Sequence, residues 1–351
     1  MIAAIESSSG EFLGQGFFSS GSKISFRLLS HSPEALGRDF FRDRIRRARR
    51  KREKRIQPGR AVRLVNAEGD LLPGLIADWY AGQIVIQYLI PGVDRLQEMI
   101  ADIFWEEFQP AGIWFRNDSS GRELEGLKEG KFFWRGKEEQ RVVIQEGGVR
   151  FEIDLMEGHK TGAYLDQAEN RIRAEELGRG RCLDAFAYQG GFALHLAQTA
   201  EEVMAVDSSA PALGALERNL ELNQIKNVRP VRENVFDFLP ELLEKGESFD
   251  LMVLDPPPFA RSRKDLSSAR RGYAEINRRA LNLLKPGGIL ITYSCSYNFS
   301  LADLTEVLRQ ALSDSGRRAN LLEIHIQAGD HPALLNLPET WYLKGLVLEV
   351  E

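Results

Sequence analysis

The chain has 351 residues, enough for two or three domains, and its 43% hydrophobic and 28% charged residues are ordinary for a globular protein. Its apolar runs stay well short of the roughly 20 residues that a membrane-spanning helix needs, and its polar N-terminus lacks the features of a signal peptide. Two cysteines, Cys182 and Cys295, exclude a disulfide scaffold and a metal cluster, so we expect a cytoplasmic protein without a metal site.

Residues 42–55 form a basic run. The run holds ten basic and two acidic side chains, a net charge of +8 in a chain whose total is −5. Such a patch can bind a polyanion. The alternative is a solvated helix with self-paired charges, although two acids are too few to pair ten bases. Both interpretations stay open.

The first 90 residues contain short apolar pieces between turns. Residues 1–30 alternate glycine turns with such pieces, and a strand is predicted near residues 24–28. Residues 60–66 and 83–89 are predicted to be the strands of a hairpin, whose turns come from residues 68–74.

Further along, the pattern predicts a helix over residues 96–108. Strands are predicted near residues 112–116, 142–144 and 149–155. We therefore interpret residues 31–150 as a small central α+β domain, preceded by a β segment over residues 1–30.

From about residue 176 strands and helices alternate, which predicts a doubly wound α/β sheet. Strands are expected near residues 181–185, 202–206, 228–232, 250–254, 288–294, 321–326 and 342–350. Helices are expected near residues 191–199, 210–222, 235–244, 265–284 and 301–314.

The stretch from Cys182 to Phe192 organises this second half. A buried strand leads into a turn with two glycines and then a helix, a geometry that brings backbone close to a nucleotide-like ligand. Asp207 ends the next apolar run, where a carboxylate can accept from both hydroxyls of a ribose. The glycines lack the spacing of a dinucleotide site, so NAD is disfavoured. A further strand ends at Asp255 and a proline turn.

Other segments lie in a consistent order around these two motifs. They are Glu68-Gly-Asp-Leu-Leu-Pro-Gly-Leu, the loop from Gly158 to Arg171, Ser294-Cys295-Ser296, His331-Pro332 and Tyr342-Leu-Lys-Gly. Over roughly residues 12–351 this order resembles the bacterial ribosomal RNA large-subunit cytosine-5 methyltransferases that contain a PUA domain.

The resemblance implies a Rossmann-like class I methyltransferase domain over residues 151–351, beside the central domain and a partial PUA-like β segment. It implies S-adenosylmethionine as cofactor, large-subunit ribosomal RNA as partner, and no membrane or metal partner; a homodimer is also considered. Relatives begin with a whole PUA barrel, whereas this chain shows only the last third. We expect either a late start of the reading frame or a reduced barrel.

The resemblance also implies roles for individual residues. Asp255 and Cys295 match the catalytic positions at the target base. The implied cofactor-binding residues are Lys160, Thr161, Gly162, Asp166, Asn170, Arg171, Asp184, Phe186, Tyr188, Gly190, Asp207, Ser208, Asn234, Asp255 and Pro256. Asn234 stands where relatives often have an aspartate next to adenine, and its side-chain oxygen can still accept from the adenine amine.

Carbon 5 of cytosine is too poor a nucleophile to take a methyl group directly. A thiolate that adds to carbon 6 activates the ring, so the reaction requires an accessible cysteine. Polar serines flank Cys295 at the end of a strand, whereas Cys182 lies within an apolar strand and is expected to be a core residue. The histidines lack metal-ligand spacing and are expected to be structural.

Two other functions stay open. The Asp255-Pro-Pro motif also suits methylation of an exocyclic amine, a reaction that needs no thiol. Alternatively, the chain binds RNA or assists ribosome assembly without turnover. Intact cofactor motifs argue against this last alternative.

Overall fold

The computed structural model describes residues 1–260 and 263–351. Its internal contacts divide the chain into two compact units. The first comprises Met1–Gln145, Ile153–Leu165 and Gly329–Thr340, and the second comprises Glu146–Glu152, Asp166–Ala328 and Trp341–Glu351. The division into residues 1–30, 31–150 and 151–351 stays a prediction.

The first unit contains a three-stranded antiparallel sheet and a five-stranded sheet. The smaller sheet consists of β1 (Ile2–Glu6), β2 (Phe12–Phe18) and β3 (Phe26–Ser30). The larger sheet has the order β4 (Ala61–Asn66), β5 (Leu75–Tyr80), β6 (Gln83–Tyr88), β7 (Gly112–Asn117) and β8 (Gly130–Gly136). Its helices are α1 (Arg38–Arg52), α2 (Pro91–Asp94), α3 (Gln97–Phe108) and α4 (Ser120–Leu124).

The basic run forms most of α1, which is amphipathic. Phe41, Ile45 and Ala48 are buried on one face, and they recur at the spacing of about one helical turn. Arg52 continues this buried face and donates a hydrogen bond of 2.6 Å to Asp70. The apolar face explains why so charged a segment folds as a helix against the sheet.

The predicted hairpin of residues 60–66 and 83–89 is wrong, because β5 lies between β4 and β6 and pairs antiparallel with both. The sequence of β5 contains an acidic residue, Asp78, in an otherwise apolar strand. Asp78 is fully buried there, and Nε of Arg63 donates to its Oδ1 over 2.5 Å. The partner of Asp78 lies on the neighbouring strand β4, so the local sequence of β5 does not predict this ion pair.

A two-stranded sheet is formed by β9 (Arg141–Glu146) and β10 (Val149–Asp154). The second unit contains a seven-stranded sheet of order β13-β12-β11-β14-β15-β17-β16. These strands are β11 (Arg181–Ala185), β12 (Glu202–Asp207), β13 (Val228–Arg232), β14 (Phe249–Leu254), β15 (Leu284–Ser294), β16 (Ala319–Ile326) and β17 (Lys344–Val350). Strands β11 to β15 run parallel, and β17 is antiparallel to both of its neighbours.

The helices of the second unit are α5 (Ala168–Leu177), α6 (Gly191–Leu196), α7 (Ala210–Asn223), α8 (Val235–Glu244), α9 (Leu266–Leu283) and α10 (Leu301–Ser315). The predicted alternation of strands and helices is confirmed, although α6 ends three residues earlier than the predicted residue 199. The core includes Leu183, Leu254 and Leu290 from three adjacent parallel strands. The carboxyl ends of these strands therefore lie at one edge of the sheet.

Within the described ranges, none of the helices combines the length and the apolarity needed to cross a bilayer. Over residues 1–260 and 263–351, no three histidine, cysteine, aspartate or glutamate side chains are grouped so that they could hold a metal ion.

Candidate active site

The turn between β11 and α6 has an unusual backbone. Phe186, Tyr188 and Gly190 have φ values of 68°, 50° and 87°. These values lie in the left-handed region of backbone conformation, which the side chains of Phe186 and Tyr188 disfavour. Such backbone strain occurs at binding sites. At Gly190 a Cβ would also lie 2.2 Å from Cδ1 of Leu216, so only glycine fits. The predicted glycine turn is therefore a tight, strained connection at the carboxyl edge of the sheet.

Asp184 places a carboxyl group beneath this turn. Its Oδ2 accepts a hydrogen bond of 2.8 Å from the backbone N–H of Ala193. Its Oδ1 is buried and has no hydrogen-bond partner among the residues that the structure describes. Burial raises the pKa of Asp184 to about 8; the bond from Ala193 opposes this rise, and the charges of Asp255 and Asp207 add to it. A cationic group of a ligand would satisfy this carboxylate.

Asp207 stands at the end of β12, beside β11. Its Oδ2 accepts from the backbone N–H of Tyr188 over 2.9 Å, and its Oδ1 accepts from that of Ser209 over 2.8 Å. The carboxylate is half-buried, whereas Ser208 is exposed. Each oxygen has a second lone pair, so the oriented carboxylate can accept from two adjacent hydroxyls.

Arg171 on α5 is held by a buried carboxylate. Its Nε and Nη2 donate to the two carboxylate oxygens of Glu146 over 2.6 Å and 2.7 Å. Burial disfavours the charged form of Glu146, but Arg171 and then His195 outweigh burial and lower the pKa of Glu146 to about 2. His195 lies between Glu146 and Glu175, at 3.1 Å and 2.6 Å from their oxygens.

The neighbouring predicted residues also make defined contacts. Asn170 donates from Nδ2 to Oε1 of Gln167 over 2.6 Å, and Asp166 accepts from the hydroxyl of Tyr342 over 2.7 Å. Asn234 is exposed after β13 and begins α8, where its Oδ1 accepts from the backbone N–H of Phe236 over 3.0 Å. These side chains all belong to the second unit, as do Asp184 and Asp207.

Lys160, Thr161 and Gly162 belong to the first unit. Thr161 is buried, and its hydroxyl donates to Oδ2 of Asp78 over 2.5 Å and lies 2.8 Å from the hydroxyl of Tyr80. A Cβ on Gly162, whose φ is 147°, would lie 2.8 Å from Cγ2 of Ile153. The structure therefore anchors this loop to β5, and the predicted cofactor contacts of the three residues stay predictions.

Asp255 and Cys295 follow adjacent parallel strands. Asp255 comes directly after β14, and Cys295 comes directly after β15. Because Leu254 pairs with Thr292, Cys295 lies about two residues further along the sheet than Asp255. Both side chains are half-buried, and Pro256 is buried. The two predicted catalytic residues thus share the edge that also carries Asp184 and Asp207.

Tyr273 on α9 was not predicted from the sequence and lies beside both of these residues. Its hydroxyl donates to Oγ of Ser294 over 2.9 Å and lies 3.3 Å from Oγ of Ser296. Burial raises the pKa of Tyr273, and the nearby Cys295 and Asp255 add to this rise. Its place among the buried residues of an amphipathic helix resembles that of any core tyrosine, so no sequence pattern distinguishes it.

An aromatic group borders this region. The ring of Phe259 lies 4.6 Å from that of Tyr273 and 5.7 Å from that of Phe236, measured between ring centres. Phe186 extends the group, with its ring 6.4 Å from Phe236. Flat apolar side chains of this kind can pack against a planar ring.

The remaining predictions for cysteine and histidine concern packing. Cys182 is 1% exposed, and burial raises the pKa of its thiol to about 11, which confirms it as a core residue. His325 is hydrogen-bonded on both sides of its ring. Its Nδ1 lies 2.9 Å from the hydroxyl of Tyr293, and its Nε2 lies 3.0 Å from Oε2 of Glu323.

A family model for S-adenosylmethionine-dependent methyltransferases matches residues 63–314, and a model for a PUA-like domain matches residues 1–31. The protein named ribosomal RNA large subunit methyltransferase I from Aeromonas salmonicida is 41% identical over 352 residues, which cover 98% of this chain and 89% of the relative. The protein of the same name from Shewanella amazonensis is 39% identical and covers 97% of this chain and 88% of the relative.

Solved structures share the fold. The crystal structure of SMU.776 in complex with SAH has a TM-score of 0.88 and 20% identity to this chain, and the match covers 99% of this chain and 91% of that one. A candidate SAM-dependent methyltransferase from Streptococcus mutans has a TM-score of 0.87 with the same identity and coverage. At this level of identity the likeness shows the fold alone.

Proposed function

Because this chain belongs to the S-adenosylmethionine-dependent methyltransferase family, we propose that it methylates carbon 5 of a cytosine in large-subunit ribosomal RNA. The predicted fold is confirmed: it is an α/β class I methyltransferase domain with an N-terminal PUA-like β segment. The cofactor is S-adenosylmethionine. The names of the relatives supply the ribosomal RNA substrate of this proposal.

The residues at the sheet edge fit this cofactor. The buried, unpartnered Oδ1 of Asp184 suits a cationic group, and S-adenosylmethionine carries both an ammonium and a sulfonium. Asp207 suits its ribose hydroxyls, with Ser208 alongside. We propose that the strained backbone of Phe186, Tyr188 and Gly190 lies near the methionine end of the ligand.

Other predicted residues complete the proposed cofactor site. Arg171 and Asp166 border it from α5 and the turn before it, and Asn234 suits the adenine amine. Asn170 holds the segment before α5 through Gln167. Lys160, Thr161 and Gly162 form the loop that we propose leads to the cofactor, and Pro256 shapes the turn after Asp255.

When bound, S-adenosylmethionine supplies a methyl group on a sulfonium, an electrophile too weak for an unactivated cytosine ring. In our proposal the thiolate of Cys295 adds to carbon 6, forming an Sγ–C6 bond and moving electron density to carbon 5. Asp255 holds the base by accepting from the exocyclic amine or by keeping a proton on ring nitrogen 3. Carbon 5 then forms a bond to the methyl group while the methyl–sulfur bond breaks, which leaves the cofactor as a neutral thioether. Once water has taken the proton from carbon 5, the Sγ–C6 bond breaks and frees Cys295 as a thiolate.

One observation carries this proposal. Cys295 and Asp255 follow neighbouring parallel strands, and Tyr273 contacts the serines on both sides of Cys295. The proposed nucleophile and the proposed base-binding acid thus follow neighbouring strands, at the kind of sheet edge where a flipped base would enter. Cys182, by contrast, is buried in β11.

RNA containing 5-fluorocytosine tests the reaction, because fluorine cannot leave carbon 5 as a proton does. The wild-type enzyme should form an adduct that survives denaturation, and the Cys182→Ala variant should form it too. The Cys295→Ala variant should form none and should lose methylation while still binding the cofactor. Near-normal methylation by Cys295→Ala would reject the cytosine-5 proposal.

That last result would favour the second candidate, methylation of an exocyclic amine. The observation behind it is the Asp255-Pro256-Pro257 turn, whose carboxylate can orient an amine without help from a thiol. Mapping of the modified nucleotide in ribosomal RNA separates the two products, because one carries the methyl on carbon and the other on nitrogen. A protein that binds RNA and cofactor but methylates neither position would instead fit the assembly role.

The proposal extends to a homodimer formed through β16. This strand lies at one edge of the seven-stranded sheet. Three of its apolar side chains are about half exposed: Leu321 at 54%, Ile324 at 53% and Ile326 at 49%. Edge strands with apolar side chains are prone to pair with another chain. A mass measured by light scattering should be that of a dimer, and Ile324→Asp should give a monomer.

A further inference from the structure

Lys344 is a buried lysine directly beside the segment that carries Cys295. It begins β17, where it pairs in register with Ser294 on one side and with Ile326 on the other. Only 4% of its surface is exposed. Its Nζ donates a hydrogen bond of 2.8 Å to the backbone carbonyl of Ser296. The backbone of Lys344 thus lies opposite Ser294, and its amine contacts Ser296, the residue after Cys295.

A buried ammonium is costly unless an anion or hydrogen-bond acceptor compensates it. The carbonyl of Ser296 accepts from one of its three N–H groups. Burial lowers the pKa of Lys344 to about 8, and the charges of Cys295 and Asp303 act in the opposite direction. Near neutral pH the amine can therefore exchange a proton with a neighbouring group.

Charged and titratable groups face Cys295 from several elements. Tyr273 on α9 lies near both Cys295 and Asp255, whose charges add to the rise of its pKa. Asp303, on α10, is paired with Arg270 and also accepts from the backbone N–H of Ser300. Lys344, from β17, is coupled by charge to Cys295, so its ammonium favours the thiolate. The charge of Asp303 acts on Lys344 in the same direction as Cys295 does, because it also raises the pKa of the amine.

We propose that Lys344 is a positioning residue that stabilises the thiolate of Cys295 and holds the Ser294–Ser296 segment in place. The inference rests on the proposed role of Cys295 as nucleophile. With a pKa of about 8 the amine is mostly an ammonium at pH 7, so the thiol gives up its proton to water and the positive charge of Lys344 favours the resulting thiolate. The thiolate is thereby available to attack without a separate base.

The pH dependence of alkylation by iodoacetamide measures the ionisation of Cys295 directly. A Cys182→Ala background leaves one thiol in the chain. The midpoint of the rate profile should lie below the ordinary thiol value of about 8.5. Lys344→Met, which removes the charge but keeps the length, should raise the midpoint by about one pH unit and slow alkylation at pH 7 about tenfold.

Tyr273→Phe is the matched control, because it removes hydrogen bonds to the same segment without removing a positive charge. Its midpoint should stay within a few tenths of the parent value. An equal rise in Tyr273→Phe and Lys344→Met would assign the effect to segment geometry and overturn the role of Lys344. An unchanged midpoint in Lys344→Met would overturn it as well.

Two features keep the test decisive. If Lys344→Met does not fold, the parent profile still decides, because a midpoint at or above about 8.5 contradicts a stabilised thiolate. The assay uses neither RNA nor methyl transfer, so its outcome is independent of the target base. The enzyme could show a low midpoint and yet give no 5-fluorocytosine adduct. That result would support the interaction of Lys344 with Cys295 but reject the cytosine-5 proposal.

Discussion

The backbone N–H of Tyr188 donates to Oδ2 of Asp207 over 2.9 Å, joining the turn after β11 to the end of β12. Tyr188 has a positive φ of 50°, so this bond holds a strained backbone in place. The other carboxylate oxygen of Asp207 accepts from Ser209 at the start of α7. One side chain therefore orients both loops of the proposed ribose site.

Asp207→Ala should weaken the binding of S-adenosylmethionine by about 1.5–3 kcal/mol, because both ribose hydroxyls lose a charged acceptor. Calorimetric titration measures this loss directly. Asp207→Asn is the informative companion, because it keeps an acceptor oxygen for one backbone amide and should bind better than Asp207→Ala. Asp43→Ala, an exposed acid on α1, should bind as the wild type does. Equal affinity of Asp207→Ala and wild type would refute the assignment.

Asp184→Asn should stabilise the cofactor-free protein while impairing cofactor binding. Burial raises the pKa of Asp184 to about 8, against an ordinary value of about 3.9. The folded state therefore binds this proton more tightly, and the resulting stability is complete below about pH 4 and is lost as pH rises towards 8.

The stability of the two proteins should consequently diverge as pH rises. In thermal denaturation without cofactor, the free energy of unfolding of Asp184→Asn relative to that of the wild type should increase between pH 5 and pH 8. At pH 8 the variant should be more stable by about 1–3 kcal/mol. Saturating cofactor should reverse the order, since only the carboxylate can pair with a cation. A constant difference across this pH range would contradict an unpaired buried carboxyl group.

The parallel half of the seven-stranded sheet was predictable because each strand is a short apolar run between turns. Residues 181–185 and 250–254, for example, are buried on both faces and match β11 and β14 within one residue. Asp207, Asp255 and Cys295 follow such runs directly. Their shared location at one edge therefore followed from the local pattern together with the parallel arrangement.

Contacts distant in sequence were not predictable. Asp78 interrupts the apolar pattern of β5, and the buried Arg63 on β4 together with the hydroxyl of Thr161 explains its presence in a strand. Lys344 belongs to the Tyr342-Leu-Lys-Gly segment, but its contact beside Cys295 was not predictable, because that contact depends on the register between β17 and β15. The pairing of the basic run is a third example, since the acids of α3 lie about 60 residues further along the chain.

Glu146→Gln should destabilise the protein at pH 7, because Arg171 would lose its buried carboxylate. The pKa of Glu146 is lowered to about 2, so its stabilisation is complete above the unfolded pKa of about 4.3 and is lost as pH falls towards 2. That shift corresponds to about 3 kcal/mol. Urea denaturation should show this difference at pH 7 and a smaller one at pH 3.

Glu175→Gln is the control for this change. Glu175 contacts His195 but not Arg171, and its side chain is 27% exposed. The loss of stability should therefore be less than half of that in Glu146→Gln. Equal losses would assign the effect to His195 rather than to the Arg171–Glu146 pair.

The basic run of α1 divides into paired and unpaired cations. Arg42 and Arg46 in the run, and Arg38 just before it on α1, form salt bridges of 2.7–2.9 Å with Glu106 and Glu107 on α3. These acids lie on α3, outside the run, so the partners of Arg42 and Arg46 are not the two acids of the run itself.

Arg47, Arg50 and Lys54 differ, because they are exposed and none of their side chains has a hydrogen bond or salt bridge among the described residues. We expect these three cations to contact RNA phosphates. Replacing all three with Gln should make the dependence of log affinity on log salt shallower by about two to three units, since each phosphate contact releases a counterion. Filter binding of a large-subunit ribosomal RNA fragment across a salt series measures the slope.

The matched control replaces Arg38, Arg42 and Arg46 with Gln, which removes the same total charge. Its slope should change by less than about one unit, because these cations already pair with Glu106 and Glu107. Its stability should fall slightly, as expected for surface ion pairs. If both triple variants change the slope equally, net charge alone governs RNA binding. If neither does, α1 is a solvated helix and the RNA follows another surface.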